Sequence, residues 1–530
     1  MKIELTSRDL ILLLLILIGL VLILEANVSL RSPIIFGDEG FHAGLAKWIA
    51  ENKEYPKWGP LGYTNVFKID YARPPLFHIL GAGLFSLLGQ HEIALKILPP
   101  LLGASIGIAF YLLVKRLYNK EISFISAIIL VGLPSFVTYT VLFFDEILFV
   151  FYMVLFILTF MLALKENNKK FLILSAIFGS LAILTKIPGM LVLMFVPIAF
   201  LYLILKEKNF RQNLKLFVLF MIIVVLISGP YFLRNFALYN VPTCYIPFGL
   251  VDTSGCFIKE FEEIRKFETR SLAGGTEGNI LTFGLTNYVK FAYGNFWLFM
   301  IGLVGGIVLF LSRKDEKTRF FLVLMLAFSL YVIYSTFNRV EDFARQVLFW
   351  SALLVMISAI YWAELYRMLN KFLKFLGVFV IVVLLFFSYQ NIKLKLDVME
   401  NVKQFSPAFF EACDWVKGNL PKDVIILTFW GHRAAYSCER TVSPGWADIR
   451  LNDNPDDMLN VIKMHGITHL FIQKFSITQQ PSRESYSVSF VQLLESNTDK
   501  FENVYENGPE LSQCLQTGGC DGNIIYKVIY

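Results

Sequence analysis

The sequence predicts a polytopic α-helical membrane protein of about eleven transmembrane helices, followed by an external C-terminal α/β domain. Three observations support this fold class. Of the 530 residues, 56% are hydrophobic and only 17% are charged, whereas soluble domains carry about 25% charged residues. The apolar residues gather in runs near the length that crosses about 30 Å of hydrocarbon. The last part of the chain instead alternates helix and strand patterns with polar segments.

The predicted spans are the apolar runs at about 8–28, 93–114, 121–143, 146–164, 171–185, 189–205, 216–233, 286–311, 319–336, 346–363 and 374–391. A signal peptide is the alternative for the first run, but its apolar core is too long and no small-residue cleavage site follows directly. The run 74–89 has only about 16 residues, so we interpret it as an interfacial or re-entrant helix. Counting it as a span would reverse the sidedness of every later basic connector.

The basic residues set the predicted orientation. They lie in the N-terminal segment and in alternate connectors, at 115–120, 165–170, 206–215, 313–319 and 367–374. The positive-inside rule makes that side cytoplasmic, in a cell (plasma) membrane protein. The predicted domains are a membrane domain (1–391), with external loops at 29–92 and 234–285, and an external domain (392–530).

Two stretches of the external domain predict a small α/β layer. "PAFFEACDWVKGNLPKDVIILTFW" is typical of a helix, a turn and a buried strand, and "DDMLNVIKMHGITHLFIQK" repeats that order. All six cysteines fall in predicted external segments, and an even count in an oxidising space indicates disulfides. Sequence proximity favours the pairs Cys244–Cys256, Cys413–Cys438 and Cys514–Cys520. Free buried thiols are the alternative, and zinc is disfavoured because no CxxC pair is present.

Two pairs of adjacent acids lie on the predicted external side. Asp38 and Glu39 follow the first span, with His42 one helical turn later, and Asp145 and Glu146 lie in the apolar connector "FFDEILF". Acids that only stabilise a helix N-terminus are the simpler explanation. The functional one is a general base, or carboxylates that converge on a divalent cation (Mg²⁺, Mn²⁺ or Zn²⁺) beside a phosphate. His42 could orient Asp38, although simple packing is the commoner role.

Cations lie on the same predicted side of the membrane. These are Arg73 in "YARPPLFHIL", Lys186 in "LTKIPG", Arg339 and Arg345 at the start of a span, and Arg234 as a weaker member. Snorkelling to lipid headgroups or ion-paired loops would explain them without a function. Phosphate binding is the functional explanation, and His78 could line the same cleft. No basic stripe with interleaved aromatics indicates nucleic acid, and no P-loop, GxSxG or HExxH motif indicates another chemistry.

Several of these motifs resemble the GT-C superfamily of membrane glycosyltransferases. The acids Asp38-Glu39 match its first-loop motif, "RPPL" at 73–76 resembles its "KPPL" motif, and "LKILPPLLGA" is similar to the start of a later span. Asp145, the "TKIPG" hairpin and "FARQVLFWSALL" follow in the family's order. The nearest groups are the lipid A aminoarabinose transferases, the protein O-mannosyltransferases and the RgtA/B/C/D-like transferases. The similarity is best over about 8–205.

The resemblance implies a function and roles for these residues. Such enzymes take a sugar from a polyprenyl-phosphate or polyprenyl-diphosphate donor at the external face, invert its anomeric centre, and pass it to a lipid, glycan or protein acceptor. Asp38 would be the catalytic base, Glu39 and Asp145 would bind a metal or position the acceptor, and Glu146, His42 and His78 would support them. The residues Arg73, Lys186, Arg345 and Arg339 would hold the donor phosphate. The family is mixed in metal dependence, and arginine replaces the "KPPL" lysine here.

Two other function classes remain open at this level. A transporter or flippase of lipid-linked or anionic substrates would place ionisable residues near the membrane midplane, commonly within inverted repeats. Here the ionisable residues collect at one interface, and no inverted repeat is visible. A non-catalytic membrane protein that binds a partner through its external tail would give no role to the acidic pairs. The position of the acids relative to each other in the fold discriminates these classes.

Overall fold

Two parts of different architecture make up the chain, a long series of apolar helices and a smaller α/β part at the C-terminal end. The computed structural model describes residues 7–31, 34, 37–56, 73–166, 168–207, 210–239, 242, 296–311, 348–402, 407–429, 431–443, 454–478, 486–517 and 520–530. The helices of the first part are, in chain order, α1 (Ser7–Arg31), α2 (Gly37–Asn52), α3 (Leu76–Leu88), α4 (Glu92–Lys96), α5 (Leu98–Leu117), α6 (Lys120–Val131), α7 (Pro134–Val141), α8 (Asp145–Glu166), α9 (Lys169–Thr185), α10 (Leu191–Glu207), α11 (Phe210–Tyr239), α12 (Phe296–Leu311), α13 (Leu348–Phe372) and α14 (Lys374–Val402).

Most of these helices match the predicted spans. In the described ranges, six helical stretches are long and apolar enough to cross a membrane, or seven if the bent pair α6–α7 is one span. Every predicted run except 319–336 coincides at least in part with a helix, and 319–336 lies outside the described residues. The polytopic α-helical fold class is therefore confirmed.

Local chemistry explains where several helices begin. Pro99 and Pro100 lie in the first turn of α5, where a missing N–H costs nothing. The side chain of Asn119 accepts a hydrogen bond from the backbone N–H of Ile122 and caps α6 (3.0 Å). Asn168 caps α9 in the same way. Each cap satisfies a backbone donor that the helix itself leaves without a partner.

The predicted span 121–143 is broken into two helices. Its halves α6 and α7 meet at an angle of 62°, because Pro134 starts α7 and cannot continue the hydrogen-bonding ladder of α6. Ser388 Oγ on α14 donates to the carbonyl oxygen of Ile128 (3.2 Å). Asn391 Nδ2 donates to the carbonyl oxygen of Gly132 (3.3 Å). Polar side chains of a neighbouring helix thus hydrogen-bond to carbonyls next to the break, and α7 carries the chain towards Asp145.

The short apolar run after Arg73 is a separate helix, α3. Its 13 residues extend about 20 Å, too short to cross about 30 Å of hydrocarbon as a straight span. One face, with Phe77 and Phe85, is buried, while Ile79 and Leu87 on the other face are exposed. The helix therefore has one apolar face against the protein and a second one directed outwards.

A glycine brings α3 close to α2. A Cβ atom on Gly81 would lie 2.9 Å from the Cβ of Ala46 and 3.1 Å from the ring of Phe143. Any side chain at this position would therefore push α3 away from α2 and from the segment that precedes α8. This contact matters because all three elements carry candidate site residues.

The C-terminal part is built around one mixed sheet. In chain order its elements are α15 (Pro407–Asn419), β1 (Ile425–Leu427), α16 (Gly431–Cys438), β2 (Thr441–Ser443), α17 (Pro455–His465), β3 (His469–Gln473), β4 (Ile477–Thr478), β5 (Tyr486–Ser487), α18 (Val488–Ser496), β6 (Phe501–Asn507), α19 (Leu511–Thr517) and β7 (Asn523–Val528). The strand order is β2-β1-β3-β7-β6; β1 is parallel to β2 and β3, and β7 is antiparallel to β3 and β6. The two predicted helix–strand units are α15–β1 and α17–β3, which lie side by side.

Two of the predicted disulfides are present. Cys413 in α15 bonds to Cys438 at the end of α16, and Cys514 bonds to Cys520. The third predicted pair, Cys244–Cys256, lies outside the described residues. Both observed bonds belong to the C-terminal part, where one joins α15 to α16 and the other joins α19 to the segment before β7.

The C-terminal part packs directly on α2. Its short helix α16 lies against α2, and the ring of Tyr436 contacts the apolar core of the membrane helices. At the edge of this contact, Lys47 Nζ lies 2.8 Å from Glu439 Oε1. Helix α2 is therefore held between the membrane helices and the C-terminal part.

Candidate active site

The first acidic pair begins α2. Asp38 and Glu39 lie in its first turn, where the helix dipole stabilises negative charge. Glu39 is fully buried, and its Oε1 atom accepts hydrogen bonds from Lys96 Nζ (2.6 Å) and from the backbone N–H of Phe143 (2.7 Å). Asp38 is less buried. Glu39 therefore ties α2 to α4 and to the segment before α8, and Asp38 is the more accessible acid.

The second acidic pair begins α8. Lys186 Nζ donates to Glu146 Oε1 (2.6 Å) and to Asp145 Oδ1 (3.1 Å). The Glu146 side chain is 1% exposed, against 13% for Asp145 and 16% for Lys186. The two pairs are thus alike, since each has a glutamate buried against a lysine and a more accessible aspartate beside it.

Lys186 is positioned by the tight connection between α9 and α10. It ends α9 in an extended conformation, and a single 3-10 turn, Ile187–Met190, follows. A Cβ atom on Gly189 would lie 2.4 Å from the carbonyl oxygen of Ala182. Only glycine allows the turn to fold this closely onto the end of α9, which directs Lys186 towards the start of α8.

Two histidines join α2 to α3. His42 Nδ1 lies 2.8 Å from His78 Nε2, and both rings are buried. His78 Nδ1 lies 3.3 Å from the hydroxyl of Tyr55, and that hydroxyl donates to the carbonyl oxygen of Arg73 (3.5 Å). His42 and His78 thus form more than simple packing contacts, because they are part of a hydrogen-bonded chain.

Two arginines surround this chain of hydrogen bonds. The guanidinium of Arg73 lies 4.7 Å from the centre of the Phe41 ring, and that of Arg234 lies 4.9 Å from the Tyr55 ring. Arg234 also donates to the carbonyl oxygen of Pro56 (2.8 Å). Both guanidinium groups lie over aromatic rings, an arrangement that favours a cation even where water is scarce.

The charges of both acidic pairs act on His42. Burial lowers the pKa of His42 well below its usual range, and His78 and then Arg73 lower it further. Asp38 and Glu146 act in the opposite direction on the same ring. Residues from α2, from the start of α3 and from α8 are therefore near enough to interact electrostatically with one side chain. The acids do not lie at opposite ends of the helical domain.

Some predicted residues are not part of this arrangement. Arg339 and Arg345 lie outside the described residues. Among the residues that the structure describes, no group of three or more His, Cys, Asp or Glu side chains could hold a metal ion. The predicted metal ligands Asp38, Glu39 and Asp145 do not form such a group, because the ammonium groups of Lys96 and Lys186 lie against two of these carboxylates. The residues in the described ranges therefore do not fit the predicted metal.

Three residues of the arrangement are missing from the sequence-based prediction. Lys96 is the last residue of α4 and is 1% exposed, so a lysine next to an apolar span was the available signal. Tyr55 lies in a polar stretch without a motif. Arg433 on α16 is fully buried, with its guanidinium 4.5 Å from the Phe409 ring. Burial lowers the pKa of Arg433 to about 8, and Glu92 and Glu39 act against this shift, which places α16 close behind the first acidic pair.

Comparison with known proteins gives one family-model match over part of the chain and a set of similar folds. The family model described as dolichyl-phosphate-mannose-protein mannosyltransferase matches residues 72–231, the range that contains α3, Asp145, Glu146 and Lys186. Comparison with curated protein sequences gives no significant match.

Several solved membrane proteins are similar to the chain along most of its length. The Archaeoglobus fulgidus oligosaccharyltransferase, in complex with Zn and sulfate, has a TM-score of 0.61 at 16% identity, over 86% of this chain and 68% of that chain. ArnT from Cupriavidus metallidurans, bound to undecaprenyl phosphate, has a TM-score of 0.58 at 12% identity, over 96% and 97%. The mycobacterial arabinofuranosyltransferase AftD has a TM-score of 0.60 at 13% identity, over 99% and 40%. At these identities the similarity establishes a shared fold.

Proposed function

We propose that this chain, which has the GT-C fold, is a glycosyltransferase that takes a sugar from a polyprenyl-phosphate-linked donor and inverts its anomeric centre. The acceptor is a hydroxyl of a lipid, a glycan or a protein at the external face of the cell membrane. The observation that supports this proposal best is the hydrogen bond from the backbone N–H of Phe143, two residues before Asp145, to Glu39 (2.7 Å). This bond brings the two acidic helix starts together near Arg73, whose guanidinium lies over Phe41. A base and a cation suited to a phosphate are what such a displacement requires.

Asp38 is the proposed general base. A base must reach the proton that it removes, and Asp38 is the more accessible acid of its pair. Glu39 is buried in an ion pair with Lys96 and bonded to the backbone of Phe143, so its role is to hold α2 in place. The predicted role of Glu39 as an acceptor ligand is therefore replaced, in this proposal, by a positioning role.

Arg73 and Lys186 are the proposed phosphate-binding cations, with Arg345 and Arg339 as further candidates from the sequence. A guanidinium can bind two phosphate oxygens at once, and Arg73 lies over Phe41 next to the start of α3. Lys186 would neutralise the phosphate from the side of Asp145 and Glu146. ArnT bound to undecaprenyl phosphate and the mannosyltransferase family model both favour a lipid-linked donor.

The reaction requires mainly that the two substrates are oriented and that the charge of the donor phosphate is neutralised. The acceptor oxygen attacks the anomeric carbon, the bond to the donor phosphate oxygen breaks, and Asp38 takes the hydroxyl proton. A phosphate is a good leaving group once its negative charge is neutralised, so the oriented substrates and the fixed charges supply most of the rate increase. No step requires the metal ion that the described residues do not accommodate.

A transfer assay with a matched variant tests the proposal. Membranes that contain the protein are incubated with a panel of radiolabelled polyprenyl-phosphate-linked sugars, and the lipid, glycan and protein fractions are counted separately. We expect transfer by the native chain and a loss of about 100-fold or more in Asp38→Asn, the usual contribution of a general base. Glu51→Gln, an exposed acid on the same helix, is the control and should leave transfer unchanged. Native turnover in Asp38→Asn would exclude this residue as the base.

A further inference from the structure

We propose that His42 Nε2 is the hydrogen-bond acceptor for a sugar hydroxyl in the site, and that His78 and Tyr55 hold His42 in the tautomer that this requires. The proposal rests on the proposed function for the identity of the ligand. The tautomer is the one in which all three contacts of the chain serve as hydrogen bonds. His42 would contact the substrate, whereas His78 and Tyr55 would be positioning residues.

A carbonyl group sets the direction of the hydrogen-bonded chain. The carbonyl oxygen of Arg73 can only accept, so all three contacts of the chain are hydrogen bonds only if the single proton of the Tyr55 hydroxyl points towards it (3.5 Å). The Tyr55 oxygen must then accept from His78, which places the His78 proton on Nδ1 (3.3 Å). Because a neutral imidazole carries one proton, His78 Nε2 is an acceptor.

The same argument passes to the next ring. His78 Nε2 accepts from His42 Nδ1 over 2.8 Å, so the proton of His42 is on Nδ1. His42 Nε2 then carries a lone pair and no hydrogen. This nitrogen is buried and has no hydrogen-bond partner among the described residues. A buried acceptor without a partner costs free energy, which a ligand with an O–H group would recover.

The surroundings of His42 select the kind of ligand. The His42 ring makes edge contacts with Phe77 (centroids 5.3 Å apart) and Phe144 (6.0 Å), so its flanks are apolar. Burial keeps the ring neutral, and a lone pair repels the oxygens of a phosphate. A hydroxyl, which donates a proton and carries no charge, is the group that suits this position.

The position of His42 also relates it to the proposed reaction. His42 follows Asp38 by four residues, so both side chains lie on the same face of α2. A sugar that presents one hydroxyl to His42 would be held next to the proposed base. His42 is therefore expected to contribute to the orientation of the bound sugar, and the phosphate is left to the cations.

Histidine NMR tests the tautomer without reference to activity. In ¹⁵N-histidine-labelled protein in lipid, with the His42→Asn and His78→Asn variants for assignment, the Nδ1 and Nε2 shifts report directly where each proton lies. We expect neutral rings with the proton on Nδ1 in both residues. A proton on Nε2 of either ring would reverse the chain and overturn the proposal. Addition of a polyprenyl-phosphate-linked sugar that the protein transfers should shift the Nε2 signal of His42, and an unmoved signal also contradicts it.

Two substitutions separate the acceptor role from a structural one. His42→Asn places an amide near Nδ1, so it retains a donor to His78 but has no acceptor at the Nε2 position. His42→Gln places an amide near Nε2 instead. We expect His42→Asn to lower kcat/KM by about tenfold or more with an unchanged Tm, and His42→Gln to retain more activity than His42→Asn.

The opposite order of activities would show that only the bond to His78 matters, and would overturn the proposal. Tyr55→Phe should populate the second tautomer in the NMR spectrum and lower kcat/KM by a smaller factor. If the native chain transfers no sugar from any donor, the proposed function fails. The NMR spectrum then still decides the tautomer, so the two failures are distinguishable.

Discussion

Among the described residues, helix α2 forms an ion pair towards the membrane helices and another towards the C-terminal part, and these two pairs differ in burial rather than in geometry. Glu39 and Lys96 are 2.6 Å apart and 0% and 1% exposed, on the side of the membrane helices. Lys47 and Glu439 are 2.8 Å apart but 22% and 52% exposed, on the side of the C-terminal part. The comparison shows that similar distances do not imply similar energies, because water competes for the second pair and not for the first.

The difference also separates the roles of the two sides. The buried side carries the acids, the histidine pair and the backbone contact of Glu39 to Phe143. The outer side joins α2 to α16 through the Tyr436 ring and an exposed ion pair. We therefore expect changes on the buried side to affect both folding and transfer, and changes on the outer side to be mild unless they disturb α16 itself.

The largest effect is expected for Glu39→Gln. This change leaves the Lys96 ammonium buried without its anionic partner, which costs about 3–5 kcal/mol. The measurement is the Tm of the detergent-solubilised protein by intrinsic fluorescence, compared with native. The double variant Glu39→Gln with Lys96→Met should recover part of the lost stability, because neither position of this pair then buries a charge. If Glu39→Gln melts at the native Tm, the pair does not anchor α2.

The next effect concerns the disulfide that holds α16 against α15. Replacement of Cys413 and Cys438 by serine opens a loop with a sequence separation of 25, which should cost about 3 kcal/mol in the chain-entropy picture. The matched control removes Cys514–Cys520, with a separation of 6 and an expected cost of about 2 kcal/mol. Thermal unfolding and limited proteolysis of the C-terminal part measure the loss of stability in each of the two variants.

The first of these replacements should also reduce transfer and the second should not, since the first frees α16, which lies against α2. Equal transfer by the two disulfide variants would mean that the C-terminal part does not support the acidic helix. The contact between α2 and α16 would then have no effect on transfer.

The histidines on the buried side should make stability depend on pH. Burial, and then the charge of Arg73, lowers the pKa of His78 to about 3, while an unfolded histidine has a pKa near 6.5. Below pH 6.5 the unfolded state binds more protons than the folded state, so stability is complete above this pH and falls as the pH decreases. Each such histidine contributes at most about 1.4 kcal/mol per pH unit, or roughly 2 kcal/mol between pH 6.5 and 5.

The measurement is Tm against pH between 7.5 and 5, in the native chain and in His78→Asn. We expect the native Tm to decrease towards pH 5 and the variant to decrease less, because asparagine does not titrate. Identical profiles would show that His78 is protonated as easily in the folded chain as in the unfolded one.

Much of the helical architecture could be predicted from the sequence, because apolar runs of spanning length have few alternative explanations. The spans, the two helix–strand units and two disulfide pairs follow from run length, periodicity and proximity. The break at Pro134 was missed because the apolar run continues through it, and carbonyls next to it accept hydrogen bonds from residues more than 200 positions away. That compensation depends on tertiary contacts.

The candidate site was predicted in its residue types but not in its pairing. The acids, Arg73, Lys186 and the histidines were identified from their positions at membrane boundaries. The partner of Glu39 was not, because Lys96 is 57 residues away and looks like a snorkelling lysine at the start of a span. Tyr55 was missed for the same reason, since its role comes only from its contacts with His78 and Arg73. The position of a residue in the sequence indicates whether it is a candidate for the site, and the tertiary structure determines which candidates contact each other.

The smallest effect is expected for the outer ion pair of α2. Lys47→Gln should cost less than about 1 kcal/mol, because both side chains are partly solvated and the charges are screened at physiological salt. Raising the salt concentration should also lower the Tm of the native chain slightly, because salt screens this ion pair. Lys47→Gln lacks the pair, so its Tm should not decrease for this reason. A Tm loss as large as that of Glu39→Gln would show that exposure does not decide the energy of these pairs, and that the outer contact holds α2 as firmly as the buried one. Transfer activity in Lys47→Gln should equal that of the native chain, since the substitution leaves the acids, the histidine pair and the Tyr436 contact unchanged.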